Sequence, residues 1–166
     1  MISDKSRPDG AAAPQGDGAP KPEYEIVAQF IKDLSFESPA TPAIFFEKAS
    51  SAPQIGVNLD LRTQKVGDEL YEVLIGLKVS GQMSGKTMFV VDLSYGVIAA
   101  IRAAEQEKIQ RYLTKSTPAH AFPFMRAIIA ELTRESGFAP FVLSPIDFDR
   151  IEFTQTPAAP AAAPGK

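Results

Sequence analysis

Between residues 70 and 97 the chain reads LYEVLIGLKVSGQMSGKTMFVVDLSYGV, two runs in which apolar and polar positions alternate. A strand turns successive side chains to opposite faces, so this period of two predicts two long strands. They meet near Gly81-Gln82-Met83-Ser84-Gly85, where two glycines allow the positive φ of a hairpin loop. Tyr71, Val73, Ile75, Leu77 and Val79 share one face of the first strand, and Phe89, Val91, Leu93, Tyr95 and Val97 one face of the second. Both rows need a cover. The opposite face carries Glu72, Lys78, Asp92 and Ser94, but also Leu70, Leu74, Met88 and Val90. A sheet buried on one side is ordinarily polar on the other, so this mixed face predicts a surface that meets a partner.

Two further strands precede the hairpin. In 24–37, YEIVAQFIKDLSFE, Ile26, Ala28, Phe30, Leu34 and Phe36 share one face, with Lys32 the exception. Asp33, Ser35 and Glu37 fall on the other face, together with Val27 and Ile31. In 55–61, Ile55, Val57, Leu59 and Leu61 alternate strictly with Gly56, Asn58 and Asp60. Between them Pro39, Pro42 and Pro53 bar regular structure around the apolar Ile44, Phe45 and Phe46. A long loop with adjacent aromatics either plugs its own core or lines a binding groove.

After the hairpin the period changes. Residues 103–113 are strong helix formers, with Ile109, Tyr112 and Leu113 at helical spacing. Thr117-Pro118 offers a cap and a first-turn proline for a main helix over 119–136. Its apolar stripe is Phe124, Met125, Ile128, Ile129 and Leu132, and Gly137 is the expected stop. Asp147 is placed to cap a short last helix over 147–154. Four strands followed by helices make an α+β pattern. One amphipathic helix is too little to cover a four-stranded sheet, so a second layer from another chain, and hence an oligomer, is expected.

Composition trims the picture. The tails over 1–22 and 155–166 are rich in Ala, Pro and Gly and are expected to be disordered, which leaves a folded domain over 23–154 of the 166 residues. There is no apolar run long enough to span a membrane and no signal peptide, and cysteine is absent. These features favour the cytoplasm and exclude disulfide and thiolate chemistry. The net charge of −3 argues against a nucleic-acid binder.

Candidate chemistry is thin. Ser84-Gly85-Lys86-Thr87 resembles the end of a phosphate-binding loop, but position 80 is Ser where a glycine is needed and a strand comes next. His120 is the only histidine, without supporting ligands, and reads as a surface or capping residue. Asp147, Asp149 and Glu152 read as helix-start acids rather than a metal cluster. Arg102, Lys108, Arg111 and Lys115 are interleaved with Glu105 and Glu107 and read as a solvated face. Asp33 and Glu37 stand about 13 Å apart on a strand, too far for paired acid–base catalysis. Neither an enzyme nor a cofactor or metal is expected.

The stretches Lys32-Asp33-Leu34-Ser35-Phe36-Glu37-Ser38-Pro39, Tyr71-Glu72-Val73, Phe122-Pro123 and Leu143-Ser144-Pro145-Ile146-Asp147-Phe148 resemble the SecB family of bacterial export chaperones. The resemblance runs over about 26–153. It departs at Ser94-Tyr95-Gly96-Val97, where the family often has Gln-Gln-Gly-Gly, and in lacking the cysteines of some members. It implies a four-stranded antiparallel sheet, a long helix and a short C-terminal helix, assembled as a homotetrameric dimer of dimers. The implied activity is ATP-independent holding of unfolded preproteins and their delivery to the translocation ATPase SecA, without membrane insertion. The implied SecA-binding residues are Asp33, Glu37, Val90 and Asp92. Clients would contact Ile44, Phe45, Phe46, Val57, Leu59, Ile151 and Phe153. The expected oligomer interface is Val91, Leu93, Tyr95, Met125, Ile128, Ile129 and Leu132. The alternatives are a chaperone dedicated to one toxin–antitoxin system, or a small-ligand-binding α+β protein that would need polar groups on the inward face.

Overall fold

The computed structural model describes residues 21–48 and 52–153. The expected tails, apart from the exposed Lys21 and Pro22, lie outside the described residues, as does the end of the expected domain at Thr154. The strands are β1 (Tyr24–Glu37), β2 (Gln54–Lys65), β3 (Leu70–Met83) and β4 (Lys86–Ile101), with a short 3-10 turn at Ala43–Phe46 between the first two. They form one antiparallel sheet in the order β1-β4-β3-β2. The last three strands are a meander, and β1 adds to the free edge of β4.

The hairpin turns through two residues, Ser84 at φ 51° and Gly85 at φ 76°. Two successive left-handed residues match the twist of the strands they join. Gly81 belongs to β3 rather than to the turn: the Phe89 ring approaches to 2.7 Å of where a Cβ would stand. On the inner face, rows of paired residues cross the whole sheet. Phe36, Val91, Val79 and Val57 make one; Leu34, Leu93, Leu77 and Leu59 the next; Ile31, Tyr95, Ile75 and Leu61 a third. Val91, Leu93, Leu77 and Ile75 are fully buried there beneath Ala121, Phe122, Met125 and Ile129.

β1 departs from simple alternation. It spends 14 residues, Tyr24 to Glu37, against the 12 of β4 from Ile101 to Val90. The two extra residues are taken up at register shifts between Ile26 and Ala28 and between Ile31 and Asp33. Each bulge exchanges the faces of the residues beyond it. Ala28 and Phe30, expected inside, therefore pair with Ile98 and Gly96 on the outer face, and Ile31, expected outside, pairs with the inner Tyr95. The second bulge restores Leu34 and Phe36 to the core. A bulge-free strand would have placed Lys32 on the buried face, where an unpaired ammonium is costly.

The two expected helices are one continuous helical run. α1 (Gln106–Arg111) passes through a π turn (Tyr112–Ser116) into α2 (Thr117–Glu135). Thr117 is thus a buried interior residue, not a cap. The wider winding of the π turn leaves room for Pro118, whose ring would crowd the preceding turn of a regular helix. The buried stripe of α2 is Ala121, Phe122, Met125, Ile129 and Thr133, and Phe124, expected in the stripe, is half-exposed. Gly137, at φ 85°, ends the helix as expected, with the Phe138 amide donating to the Thr133 carbonyl.

The expected last helix is absent among the described residues. Residues 147–149 form a turn in which the Asp147 carboxylate accepts the Asp149 amide at 3.1 Å. The segment 138–153 instead runs back along the inner face, packing Phe138, Phe141, Leu143, Phe148 and Phe153 on the core. Two side chains tie it down. Thr133 Oγ1 accepts the Phe141 amide, and Lys115 donates to the carbonyls of Asp149 and Ile151. Lys115 and Arg102 are therefore structural rather than a solvated face; Arg102 joins Glu69, Glu25 and the Pro22 carbonyl at the start of β1. There Tyr24 stacks on Tyr112 with ring centroids 4.7 Å apart and meets Thr117 Oγ1 at 3.0 Å.

Candidate functional site

Recognition has two surfaces to draw on. The first is the outer face of the sheet. Its rows run Glu37, Val90, Ser80, Gly56; then Ser35, Asp92, Lys78, Asn58; then Asp33, Ser94, Gly76, Asp60. Asp33, Glu37, Val90 and Asp92 thus stand in three consecutive rows at the joint of β1 and β4, brought there by the bulge at Lys32. Asp33 and Glu37 are exposed and make no ion pair among the described residues; Asp92 has a loose one to Lys78 at 3.9 Å. Charges held so openly contribute little to folding and remain available to a partner. Beside Asp92 the face dips into a shallow polar concavity of about 180 Å³, floored by Gly76 and walled by Asp60, Leu74 and Ser94. Both Asp60 carboxylate oxygens lie 2.6 Å from where a Gly76 Cβ would stand, so the glycine is what lets Asp60 lie flat across β3.

Farther along the same face the character changes. Phe30 lies over Gly96, filling the space a side chain there would need; Leu74 continues its row, and Ile98 and Leu70 follow farther along the same face. Within this apolar zone sits Glu72, only 7% exposed. Its carboxylate takes the Lys32 ammonium from β1 at 2.7 Å and the Gln64 amide from β2. The bridge therefore links strands on opposite edges of the sheet. Sequence alternation puts Glu72 on this face but assigns it no partner; the signal was a charge between Leu70 and Leu74, which open solvent does not explain.

The second surface is aromatic. Phe46 is 84% exposed and Phe45 half-exposed, whereas Ile44 is buried and holds the 3-10 turn down. The Phe45 ring lies 5.2 Å from Phe138, which lies 5.5 Å from Phe89, which stacks on Phe36. Phe138 links the loop to the sheet and was not singled out from the sequence. Val57 is half-exposed at the open edge of its row, and Leu59 is partly buried. Ile151 and Phe153 are partly buried elsewhere, with Phe153 against Phe148 and Phe148 against Phe122. The expected client residues thus form two groups that no ring contact joins among the described residues.

The expected oligomer residues divide in the same way. Val91, Leu93, Met125 and Ile129 are fully buried within one chain and Tyr95 nearly so, so they have no surface to give to a second chain. One helix plus the returning segment covers these strands, contrary to expectation. Ile128 and Leu132 are only partly covered and lie beside the exposed Phe124 on α2. His120 is exposed, its ring 6.3 Å from Phe124. Among the described residues no helix is long and apolar enough to cross a membrane.

The chain is similar to known proteins in sequence and in fold. Residues 17–158 match the family described as preprotein translocase subunit SecB. The chain is 37% identical over 163 residues to the protein-export protein SecB of Mesorhizobium japonicum, covering 98% of this chain and 96% of that one. The SecB of Rhodospirillum rubrum is 36% identical over 156 residues, covering 91% and 94%. In shape, the chain is similar to the SecB-like chaperone Rv1957 of Mycobacterium tuberculosis, solved with a peptide from the HigA1 antitoxin. The TM-score is 0.62 at 13% identity, over 75% of this chain and 91% of that one.

Proposed function

The chain belongs to the SecB family of protein-export proteins, and from that premise we propose that it is an ATP-independent export chaperone of the cytoplasm. It holds unfolded preproteins on its exposed apolar residues and delivers them to the translocation ATPase SecA. Holding requires no catalysis. A client segment that buries Phe46, Phe45 and Val57 is removed from the pool able to fold, and mass action favours the unfolded client. Ile151 and Phe153 offer a second, shallower contact.

Delivery rests on the outer face. The observation that carries the reading is the register of β1 on β4, which sets Asp33 and Glu37 beside Val90 and Asp92 on one open surface. A small basic partner module suits it: rim charges steer and orient, and the central aliphatic side chain supplies desolvation. The working form is a homotetramer, a dimer of dimers, whose contacts include Phe124, Ile128 and Leu132 on the open side of α2. A monomer mass by light scattering at micromolar concentration would overturn the assembly.

The test of delivery is a SecA titration of wild type and of Asp33→Ala with Glu37→Ala, at low and moderate salt, beside a refolding-arrest assay. The variant keeps client holding, binds SecA several-fold more weakly, and shows a flatter salt dependence because part of the screened attraction is gone. Equal binding at both salts would move the docking site elsewhere. A role as chaperone of one toxin–antitoxin system is the lesser reading, since the relatives above 30% identity over most of the chain are protein-export proteins. A small-ligand site is disfavoured because the inner face is filled by fully buried Ile75, Leu77, Leu93, Met125 and Ile129.

A further inference from the structure

β1 is pinned at both ends. Tyr24 is stacked on Tyr112 and bonded to Thr117, and the Arg102 amide donates to the Glu23 carbonyl. At the far end the Ser38 hydroxyl donates to the Met88 carbonyl at 2.7 Å. Between these anchors the strand must absorb two residues more than β4 presents, and it does so on either side of the segment 28–31. Lys32 is the second inserted residue. Loss of that bulge alone would turn Asp33, Ser35 and Glu37 to the inner face. Loss of both with the start of β1 held would slide the end by two residues, setting Asp33 opposite Asp92, like charge against like, and carrying Glu37 past Val90. In either case the acidic residues leave their places around Val90.

The ladder itself does not hold an inserted residue, because a bulge leaves it unpaired. The Lys32 side chain, however, reaches across β4 to Glu72 at 2.7 Å, and Glu72 is braced from the other edge by Gln64. Glu72 is the most deeply buried carboxylate described, and Lys32 is its one ion-pair partner among the described residues, whereas Asp33, Glu37 and Asp92 are solvated. We propose that Glu72 is a positioning residue for partner docking: by gripping Lys32 it fixes the second bulge of β1 and thereby the placement of Asp33 and Glu37 beside Val90 and Asp92. This role rests on the reading of that face as the SecA-docking surface.

Charge gives the test its sign. Lys32→Met removes a positive charge from beside an acidic face. Through electrostatics alone it would strengthen binding of a basic partner; through positioning it weakens it. Lys32 is half-exposed, so the variant is expected to fold. We expect SecA affinity to fall about tenfold for Lys32→Met and for Glu72→Gln, a usual size for coupling between a site and a remote support. The exchange of Lys32→Glu with Glu72→Lys should recover most of it. Register is read separately, because the chain has no cysteine. Under mild oxidation Ser35→Cys should cross-link with Asp92→Cys and not with Val90→Cys, and adding Lys32→Met should lower that ratio several-fold. An unchanged or tighter SecA affinity for Lys32→Met, with Asp33→Ala and Glu37→Ala still weakening it, would overturn the positioning role alone. An altered cross-link ratio with SecA affinity unmoved by any of these variants would overturn the docking reading and the positioning role with it. An unaltered ratio would overturn the role whatever the affinity did.

Discussion

On the inner face the row Leu34, Leu93, Leu77, Leu59 crosses all four strands as four leucines, while the neighbouring outer row reads Ser35, Asp92, Lys78, Asn58. The same backbone carries both, one residue out of step. The inner row is closed over by α2 and the segment 138–153, and its two central leucines have no exposed surface. The outer row is left to water. Burial of apolar area stabilises by about 25 cal/mol per Å², whereas exposed ion pairs such as Lys78 with Asp92 contribute about 0–1 kcal/mol each. Stability is therefore concentrated on one side, and the other is free to be shaped for recognition. Glu72 is the exception, a nearly buried charge on the open side, and it is bridged from both edges of the sheet.

The sharpest way to break this contrast is to remove a core leucine. Leu93→Ala leaves a cavity under Met125 and Ile129 and should cost about 2–5 kcal/mol, read from the shift of the urea midpoint. A loss well under 1 kcal/mol would mean that the inner face is not where stability resides. Next is a place where the outer face is also close-packed, under the Phe30 ring. Gly96→Val collides with the Phe30 ring and should cost about 1–3 kcal/mol. Phe30→Ala in the same chain should recover part of that loss, and strict additivity of the two changes would show that the ring does not occupy the space over Gly96.

The alkaline limb gives a smaller effect, again from the inner side. Burial raises the Tyr24 pKa above its ordinary 10.0, the hydrogen bond to Thr117 opposes that shift, and nearby Tyr112 adds to it. The unfolded chain then ionises first. The associated stability is complete below about pH 10 and is lost as pH rises through the folded value. Urea midpoints at about pH 9 and about pH 11 should differ less in Tyr24→Phe than in wild type; an identical alkaline slope would show that Tyr24 does not titrate in the folded range. The smallest expected effect is on the open side. Asp33→Ala with Glu37→Ala should leave thermal unfolding within about 0.5 kcal/mol of wild type. A larger loss would make these carboxylates part of the fold rather than of a free surface.

Much of this was legible from residue order. The hairpin strands, the burial of Val73, Ile75, Leu77 and Val79 and of Phe89, Val91, Leu93, Tyr95 and Val97, and the stop at Gly137 come from alternation, turn chemistry and a left-handed glycine, whereas residue order left open whether Phe45 and Phe46 plug the core or line a groove. Each of these depends on a few adjacent residues. Phe138 and Glu72 were not legible, because what they do depends on Phe45, Phe89, Lys32 and Gln64, all distant along the chain.

Residue order alone sets which residues alternate, where the chain reverses, and that Asp33 and Glu37 share a face, since side-chain direction in a strand has a period of two. Three features needed the folded chain: that Phe30 turns out over Gly96 while Ile31, still half-exposed, pairs with the inner Tyr95, that the helix runs unbroken through Pro118, and that the last segment packs on the core without forming a helix. The bulges answer a mismatch between two strands far apart in sequence, 14 residues of β1 against 12 of β4 between anchored ends. Local periodicity carries no information about the length of the partner strand.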